Sequence, residues 1–442
     1  MDKLEKYLLK TLNINKNSDV KIRKETFNNQ IISIIYLSSL IDNELFVFLI
    51  DSLKNPSYLM SPNVSIEKNY RKIKDSILEG NVVLILEEKC LICDLKKYPT
   101  RSISSPEVEK SVRGSKDSFN ESIAINIALI RRRIKSENLI LETFSLSKES
   151  KMMICLAYMN NLNNRNDILE IKKRIKKVNL SSLIMADKAL EETLFKQKNQ
   201  IFPLVRYTER PDVASINIIR GKIIILVDTS SNAIILPITI FDLFKNVEEY
   251  KQNYIIGSFT KTLRLLGSLI SMFLVPLFIL FTIEDGYDNG VIPLYNLELN
   301  NPLLIQISIV SLVLEIIRIA IVHTPNALTS ALSLLAAIVL SEISISLGLF
   351  SQEILLVTSL AITCNFATPS YELSLANRFI SLCLVFTTCI FKVKGFLIAC
   401  LILFLYLVSI KMMNYPYLFP ICPFDFEMFK NLFIRQDNDK KK

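Results

Sequence analysis

The sequence predicts an α/β cytosolic domain of two mixed subdomains, followed by a polytopic α-helical transmembrane domain of four to six spans. Three observations predict it. Half of the 442 residues are hydrophobic and 21% are charged, yet the two classes are segregated along the chain. Residues 1–261 carry a net charge of +10 and residues 262–442 a net charge of −1. Several apolar runs near the 20 residues needed to cross a bilayer all fall in the second stretch.

The front of the chain divides into a polar, lysine-rich leader over 1–26, read as a loose helix, one subdomain over 27–150 and another over 151–255. Ile31–Leu37 and Val82–Leu86 have the composition of buried strands, and Leu45–Ile50 fits either strand or helix. Ser118 and Glu121 form an S-x-x-E capping box, predicting a helix with Ile123, Ile127, Ile130 and Ile134 on one face. Arg131, Arg132 and Arg133 close it, where cations suit the negative end of the helix dipole. Lys151–Met159 predicts a strand. Asn166 or Asp167 caps a second helix that buries Ile168, Ile171, Ile175 and Val178 and turns a lysine-rich face outward. Ile216–Val227 and Ala233–Leu236 predict paired strands, and a helix over 242–250 leads towards the membrane.

The transmembrane domain is expected over 256–410 and a cytosolic tail over 411–442. Leu263–Ile283, Leu303–Val322, Ala327–Leu349 and Ile354–Thr368 are apolar runs. Phe379–Ile410 is broken by Lys392, Lys394 and Gly395, giving two short spans or one span and a re-entrant piece. The loop 284–301 holds four acidic residues and no Lys or Arg, so the positive-inside bias places the front domain in the cytoplasm. Met1–Lys6 is charged and no long apolar run follows, so no secretory leader is expected.

Motifs for chemistry are absent. There is no phosphate-binding glycine loop, no H-E-x-x-H, no nucleophile elbow and no dinucleotide fingerprint. No catalytic residue, cofactor or metal is therefore expected, and no nucleic acid partner. Cys90 and Cys93 form a lone CxxC in a strand-like run, without the four ligands of a zinc site, and are expected to be structural. His323, the only histidine, sits at the end of an apolar run, a head-group position.

Two clusters stand out. Arg206, Tyr207, Thr208, Glu209, Arg210, Pro211 and Asp212 alternate in charge sign, which suits either a polar docking surface between subunits or an ion-pair network bracing the two subdomains. Within the apolar region, Glu315 and Arg318 share a helix face, and Ser330, Ser333 and Ser341 recur in the next run. Such residues pair, face a bundle interior or line a wet path. Glu342, Glu353, Glu372 and Arg378 fall near segment ends, where snorkelling to head groups is expected.

Taken with Val112-Arg113-Gly114, Asn126–Ile134, Phe202-Pro203, Ile224–Asp228, Pro369-Ser370-Tyr371 and Tyr417–Pro420, these motifs resemble in order and spacing the A subunits of GerA-type spore nutrient-germinant receptors. The resemblance implies an integral protein of the spore inner membrane that forms a homo-oligomer. A transporter-like B subunit and a lipoprotein C subunit would be its partners, alongside membrane lipids. It further implies a channel for monovalent cations, opened by population shift when a nutrient binds a partner and so transducing that signal into germination. A sporulation paralogue of VAF type, from the dipicolinate-transport operon, shares the central motif and is an alternative. A non-conducting scaffold and a secondary transporter are others.

Overall fold

A computed structural model describes residues 3–27, 30–52, 64–86, 90–98, 106, 109, 113–146, 151–178, 186–195, 200–283, 303–323, 344–346, 350–413 and 415–434. The chain forms two units, one of residues 1–200 and 204–238, the other of 201–203 and 239–442.

The first unit contains two five-stranded antiparallel sheets. In the first, β1 (Val20–Phe27), β2 (Gln30–Leu37), β3 (Val64–Ile66), β4 (Val82–Ile85) and β5 (Cys90–Cys93) take the order β1-β2-β4-β5-β3. Alternate side chains along its central strands face opposite ways. Ile35, Leu37, Val83 and Ile85 meet α1 (Lys3–Thr11) and α3 (Tyr70–Leu78) through Leu4, Leu8, Ile73 and Ile77. Ile32, Ile34, Val82 and Leu84 meet Phe46 and Leu49 of α2 (Asn43–Ser52). Both faces are covered, which is why these strands are continuously apolar rather than alternating.

The stretch 1–26, expected as a polar leader in a loose helix, holds the helix α1 and most of the strand β1 of this sheet, and Leu4, Leu8 and Leu12 lie in its core. The apolar side chains of α1 recur every fourth residue, which gives the helix the apolar face that it buries. Leu45–Ile50 is helical, within α2.

The second sheet has the order β6-β7-β9-β10-β8, from β6 (Leu139–Leu146), β7 (Met152–Met159), β8 (Arg206–Thr208), β9 (Ile223–Val227) and β10 (Ala233–Leu236). It begins at residue 139, ahead of the boundary expected at 150. Helices α4 (Ile123–Arg133) and α7 (Pro211–Ile219) pack on it. Helix α5 (Arg165–Lys177) buries Ile168, Ile171 and Ile175 and is capped by Asn164, ahead of the expected Asn166 or Asp167.

Two further expectations are corrected. The helix does not start at Ser118: α4 starts at Ile123, and Ser118 and Glu121 precede it. Tertiary contacts take over the capping role. Asp228 Oδ1 accepts from the Ile123 amide at 3.2 Å, and Asn126 Oδ1 accepts from the Asn120 amide at 2.9 Å. Nor is Ile216 in a strand, since α7 occupies 211–219. Pro211 and Asp212 in its first turn and Gly221 just past its end, at φ +81°, are helix start and stop signals.

In the second unit a 3₁₀ turn (Ile240–Phe244) and α8 (Val247–Lys251) replace the single helix expected over 242–250. They lead to α9 (Tyr254–Ile283) and then α10 (Leu303–His323). Two further helices, Gln352–Phe366 and Tyr371–Ser409, and a tail helix at Phe426–Phe433 complete it. Among the described residues two helices are long and apolar enough to cross a bilayer, Tyr254–Phe281 and Tyr371–Ser409, against the four to six spans expected. The run Ala327–Leu349 lies outside the described residues apart from 344–346.

Lys392 breaks the last long helix at φ 52°, ψ −141°. A Cβ at Gly395 would lie 2.5 Å from the Phe391 Cβ and closer still to the Thr387 carbonyl oxygen. Eight residues of straight helix would separate Thr387 and Gly395 by about 12 Å, so the chain folds back sharply here.

This unit has an apolar core around Val275, Ile279, Ile307, Val310 and Ile354, yet it also exposes leucines and buries polar groups. Leu263, Leu312, Leu356, Leu397 and Leu401 are exposed, while Ser268, Ser271, Thr358, Asn365 and Asn377 are buried. The buried groups bond to one another: Asn377 Nδ2 donates to Ser268 Oγ at 2.7 Å, and Asn365 Nδ2 to the Ser374 carbonyl at 3.1 Å.

Candidate functional site

The charged run at 206–212 is turned inward. Arg206 and Arg210 are 9% and 1% exposed, and Thr208 and Pro211 are buried. β8 places Arg206 and Thr208 at an edge of the second sheet, paired with β10. Both reach Glu109, Arg206 at 3.4 Å and Thr208 by a short hydrogen bond. Arg210 pairs with Asp212 at 2.7 Å, and donates to the carbonyls of Glu109 at 3.2 Å and Ser115 at 2.8 Å. The Glu209 carbonyl accepts from the Phe119 amide at 2.7 Å and from Ser118 Oγ at 3.2 Å. Tyr207 Oη donates to Glu191 at 2.7 Å, and Lys188 pairs with the same carboxylate.

These bonds converge on the connection between the two sheets. Glu109 and Ser115–Phe119 lie after β5 and before β6, and the 206–212 run clasps them from one side. The arginine triplet holds the other. Arg133 donates to Ser115 Oγ at 3.1 Å and pairs closely with Asp117. Burial pushes the Asp117 carboxyl up, but hydrogen bonds from Arg133 and Ser115 outweigh it and hold the carboxyl below the ordinary range. Arg131 is fully buried and reaches Asp19 at 3.0 Å and Asn17 at 3.4 Å, just before β1 of the first sheet. Arg132 lies over the Tyr98 ring, 5.1 Å from its centroid. All three arginines therefore contact residues of the first sheet or of the connection.

Within this unit the side chains of the run are bonded as an ion-pair brace of the two sheets would be. Docking by these side chains on another subunit would require the clasp to open. The partners Asp19, Asn17, Glu109, Ser115 and Glu191 escaped sequence reasoning. Each is a single polar residue outside the run and the arginine triplet, from 16 residues away for Glu191 to 114 for Asn17, and no local pattern marks it.

In the second unit Glu315 and Arg318 share a face as expected, 3.6 Å apart. Arg378 joins them at 2.9 Å from Glu315, so it is drawn inward rather than snorkelling. Arg318 also donates to Ser374 Oγ at 2.9 Å and lies over the Tyr371 ring. Ser330, Ser333, Ser341 and Glu342 fall outside the described residues.

Tyr417 is buried where the tail returns. It donates to the Pro203 carbonyl at 2.7 Å, and its own carbonyl accepts from the Ile240 amide at 3.0 Å. Burial, with Tyr406 and Glu372 nearby, pushes its phenol up.

Cys90 and Cys93 lie in β5, and burial pushes their thiols up to about 12 and about 11. Thiols so raised are poor nucleophiles and poor metal ligands at neutral pH. Among the described residues no three His, Cys, Asp or Glu side chains gather as a metal site.

Comparison with known proteins agrees in extent. Stage V sporulation protein AF of Bacillus subtilis (strain 168) is 36% identical over 442 residues, covering 96% of this chain and 90% of its own. Spore germination protein KA of the same organism is 26% identical over 450 residues, covering 96% and 82%. The crystal structure of the N-terminal domain of the A subunit of the Bacillus megaterium spore germinant receptor GerK3 is 26% identical, covering 53% of this chain and 92% of that one, at a TM-score of 0.40. The family described as Bacillus/Clostridium GerA spore germination protein matches residues 6–442, and the chain belongs to that family.

Proposed function

We propose that the chain is a spore membrane subunit of the stage V AF type, acting beside the dipicolinate-release machinery. The observation that carries this reading is the 36% identity to stage V protein AF, against 26% to KA, each across 96% of the chain. The second unit sits in the spore inner membrane, as its exposed leucines and internal polar bonds suit lipid. The first unit lies in the cytoplasm, where its net charge of +10 faces anionic lipid. The clasped connection makes that unit a stiff body, able to pass a shift from partner subunits to the membrane helices of an oligomer. The membrane helices would then release monovalent cations.

Complementation tests the reading. Expressed in Bacillus subtilis strains lacking stage V protein AF or KA, this chain restores normal germination kinetics to the first strain and not the second. Restoration of the KA-dependent response alone refutes the proposal and identifies a receptor A subunit. That second reading is favoured by the full-length match to KA. Planar-bilayer recording of the purified oligomer tests conduction. Persistent absence of single-channel currents in verified oligomers refutes the channel and leaves a scaffold.

A further inference from the structure

The charges gathered between the helices of the second unit do not cancel. Arg318 and Arg378 converge on one carboxylate, Glu315, at 3.6 and 2.9 Å. Their side chains are 11% and 13% exposed. The other partners of Arg318 are neutral, Ser374 Oγ and the Tyr371 ring. Among the described residues no second carboxylate lies within ion-pair distance of either guanidinium, so the cluster carries one excess positive charge. Nη1 of each arginine is the atom that faces Glu315, and neither contact is directed as a hydrogen bond. An uncompensated cation in an apolar setting is unfavourable and draws a counter-ion.

Arg378 also borders a partly open pocket of ≈ 30 Å³ shared with Ser271, Ser311, Thr358, Asn365 and Ser381, the rest of whose lining is apolar, Val275 and Leu382 included. No carboxylate lines it among the described residues. Ser271 and Thr358 give their protons to the carbonyls of Ser268 and Ile354. That leaves Arg378, the second proton of Asn365 Nδ2 (the first goes to the Ser374 carbonyl) and the Ser311 and Ser381 hydroxyls to serve the space. The polar side of the pocket thus offers donors and one cationic side chain, a setting that disfavours a cation. Its volume is about twice the minimum for one water, room for a halide and too little for an organic acid. Charge and size agree on the occupant.

We propose that this pocket binds one small monovalent anion of halide size, held by Arg378 and the surrounding hydroxyl and amide groups, which neutralises the Arg318–Glu315–Arg378 cluster. The site is independent of whether the protein belongs to a receptor or to the stage V machinery.

The test is equilibrium dialysis of the full-length protein in lipid nanodiscs with radioactive chloride, ionic strength being held constant with gluconate. Saturable binding of one chloride per chain is expected, displaced by bromide and not by sulfate. Arg378→Gln removes the charge and its donors and weakens binding by about 10- to 100-fold. Should that variant fail to fold, Ser311→Ala/Ser381→Ala keeps the charge and loses two hydroxyls, and must still weaken binding by several-fold. No saturable chloride binding by the wild type overturns the proposal. So does binding unchanged in whichever variants fold.

Discussion

The Arg131–Asp19 pair ties helix α4, on the second sheet, to the residues that lead into the first sheet, and Asp19→Asn isolates its electrostatic part. The substitution keeps the side chain's shape and removes its charge. Both partners are almost wholly buried, at 0% and 1% side-chain exposure, and sit 3.0 Å apart. At an effective dielectric constant of 20, two unit charges at that distance attract by about 5.5 kcal/mol. Asn17 and the Ser136 carbonyl still accept from Arg131, at 3.4 Å each, so part of the loss is recovered. The expected destabilisation is about 3–5 kcal/mol, as for other broken buried pairs. Cys155 is the reporter. It is fully buried in β7, beside the pair, and its thiol is reached only when the sheet opens. Under conditions where opening is a pre-equilibrium, alkylation of Cys155 in the full-length protein, followed by peptide mass spectrometry, should accelerate by about 150- to 5,000-fold. Asp19→Leu combined with Arg131→Met removes both charges and should recover most of that loss. An acceleration below about tenfold in Asp19→Asn would refute the reasoning. A double variant as labile as the single one would do the same.

Three further outcomes are expected. Arg210→Lys keeps the charge but loses the planar fork that serves Asp212, Glu109 and Ser115 together, so hydrogen exchange across 113–119 should rise by about tenfold or more, with Arg210→Ala faster still. The Asp117 carboxyl is held below its unfolded value, so its contribution to stability is complete above an unfolded pKa of about 3.9 and fades as pH falls through the lower folded value. Thermal melts of wild type and Asp117→Asn should therefore differ at pH 6–7 and converge in acid, and a gap that widened there would show the sign to be wrong. Gly395→Ala drives a methyl into the Thr387 carbonyl and should sharply reduce the yield of monodisperse protein, whereas Gly267→Ala, whose nearest neighbour would be 3.3 Å away, should lower it much less.

Much of the first unit was legible because its apolar runs are short and bounded. β2, β4, β7 and β10 fall where composition places them. Position 216 misled because Ile216, Ile218 and Ile219 imitate a strand, while the helix signals lie outside the run, at Pro211 and Gly221. Ser118 and Glu121 misled because a capping box needs a free helix start, and here Glu209, Asn126 and Asp228 occupy the relevant groups. The brace could be listed residue by residue, yet its inward direction depended on Glu109 and Asp19, which lie 97 and 112 positions from their arginines. Arg378 was misplaced for a similar reason. Nearness to a segment end marks head-group position only when no carboxylate between the helices competes, and Glu315, a quarter exposed, does.

The fold-back at Lys392 has a topological corollary. A segment that reverses on itself adds no net crossing, whether its limbs traverse the bilayer or merely dip into it. Reporters fused just before Tyr371 and just after Ser409 should then mark the same compartment. Sidedness of the C-terminus is decided upstream, and excising 371–409 would leave the orientation of every earlier helix unchanged.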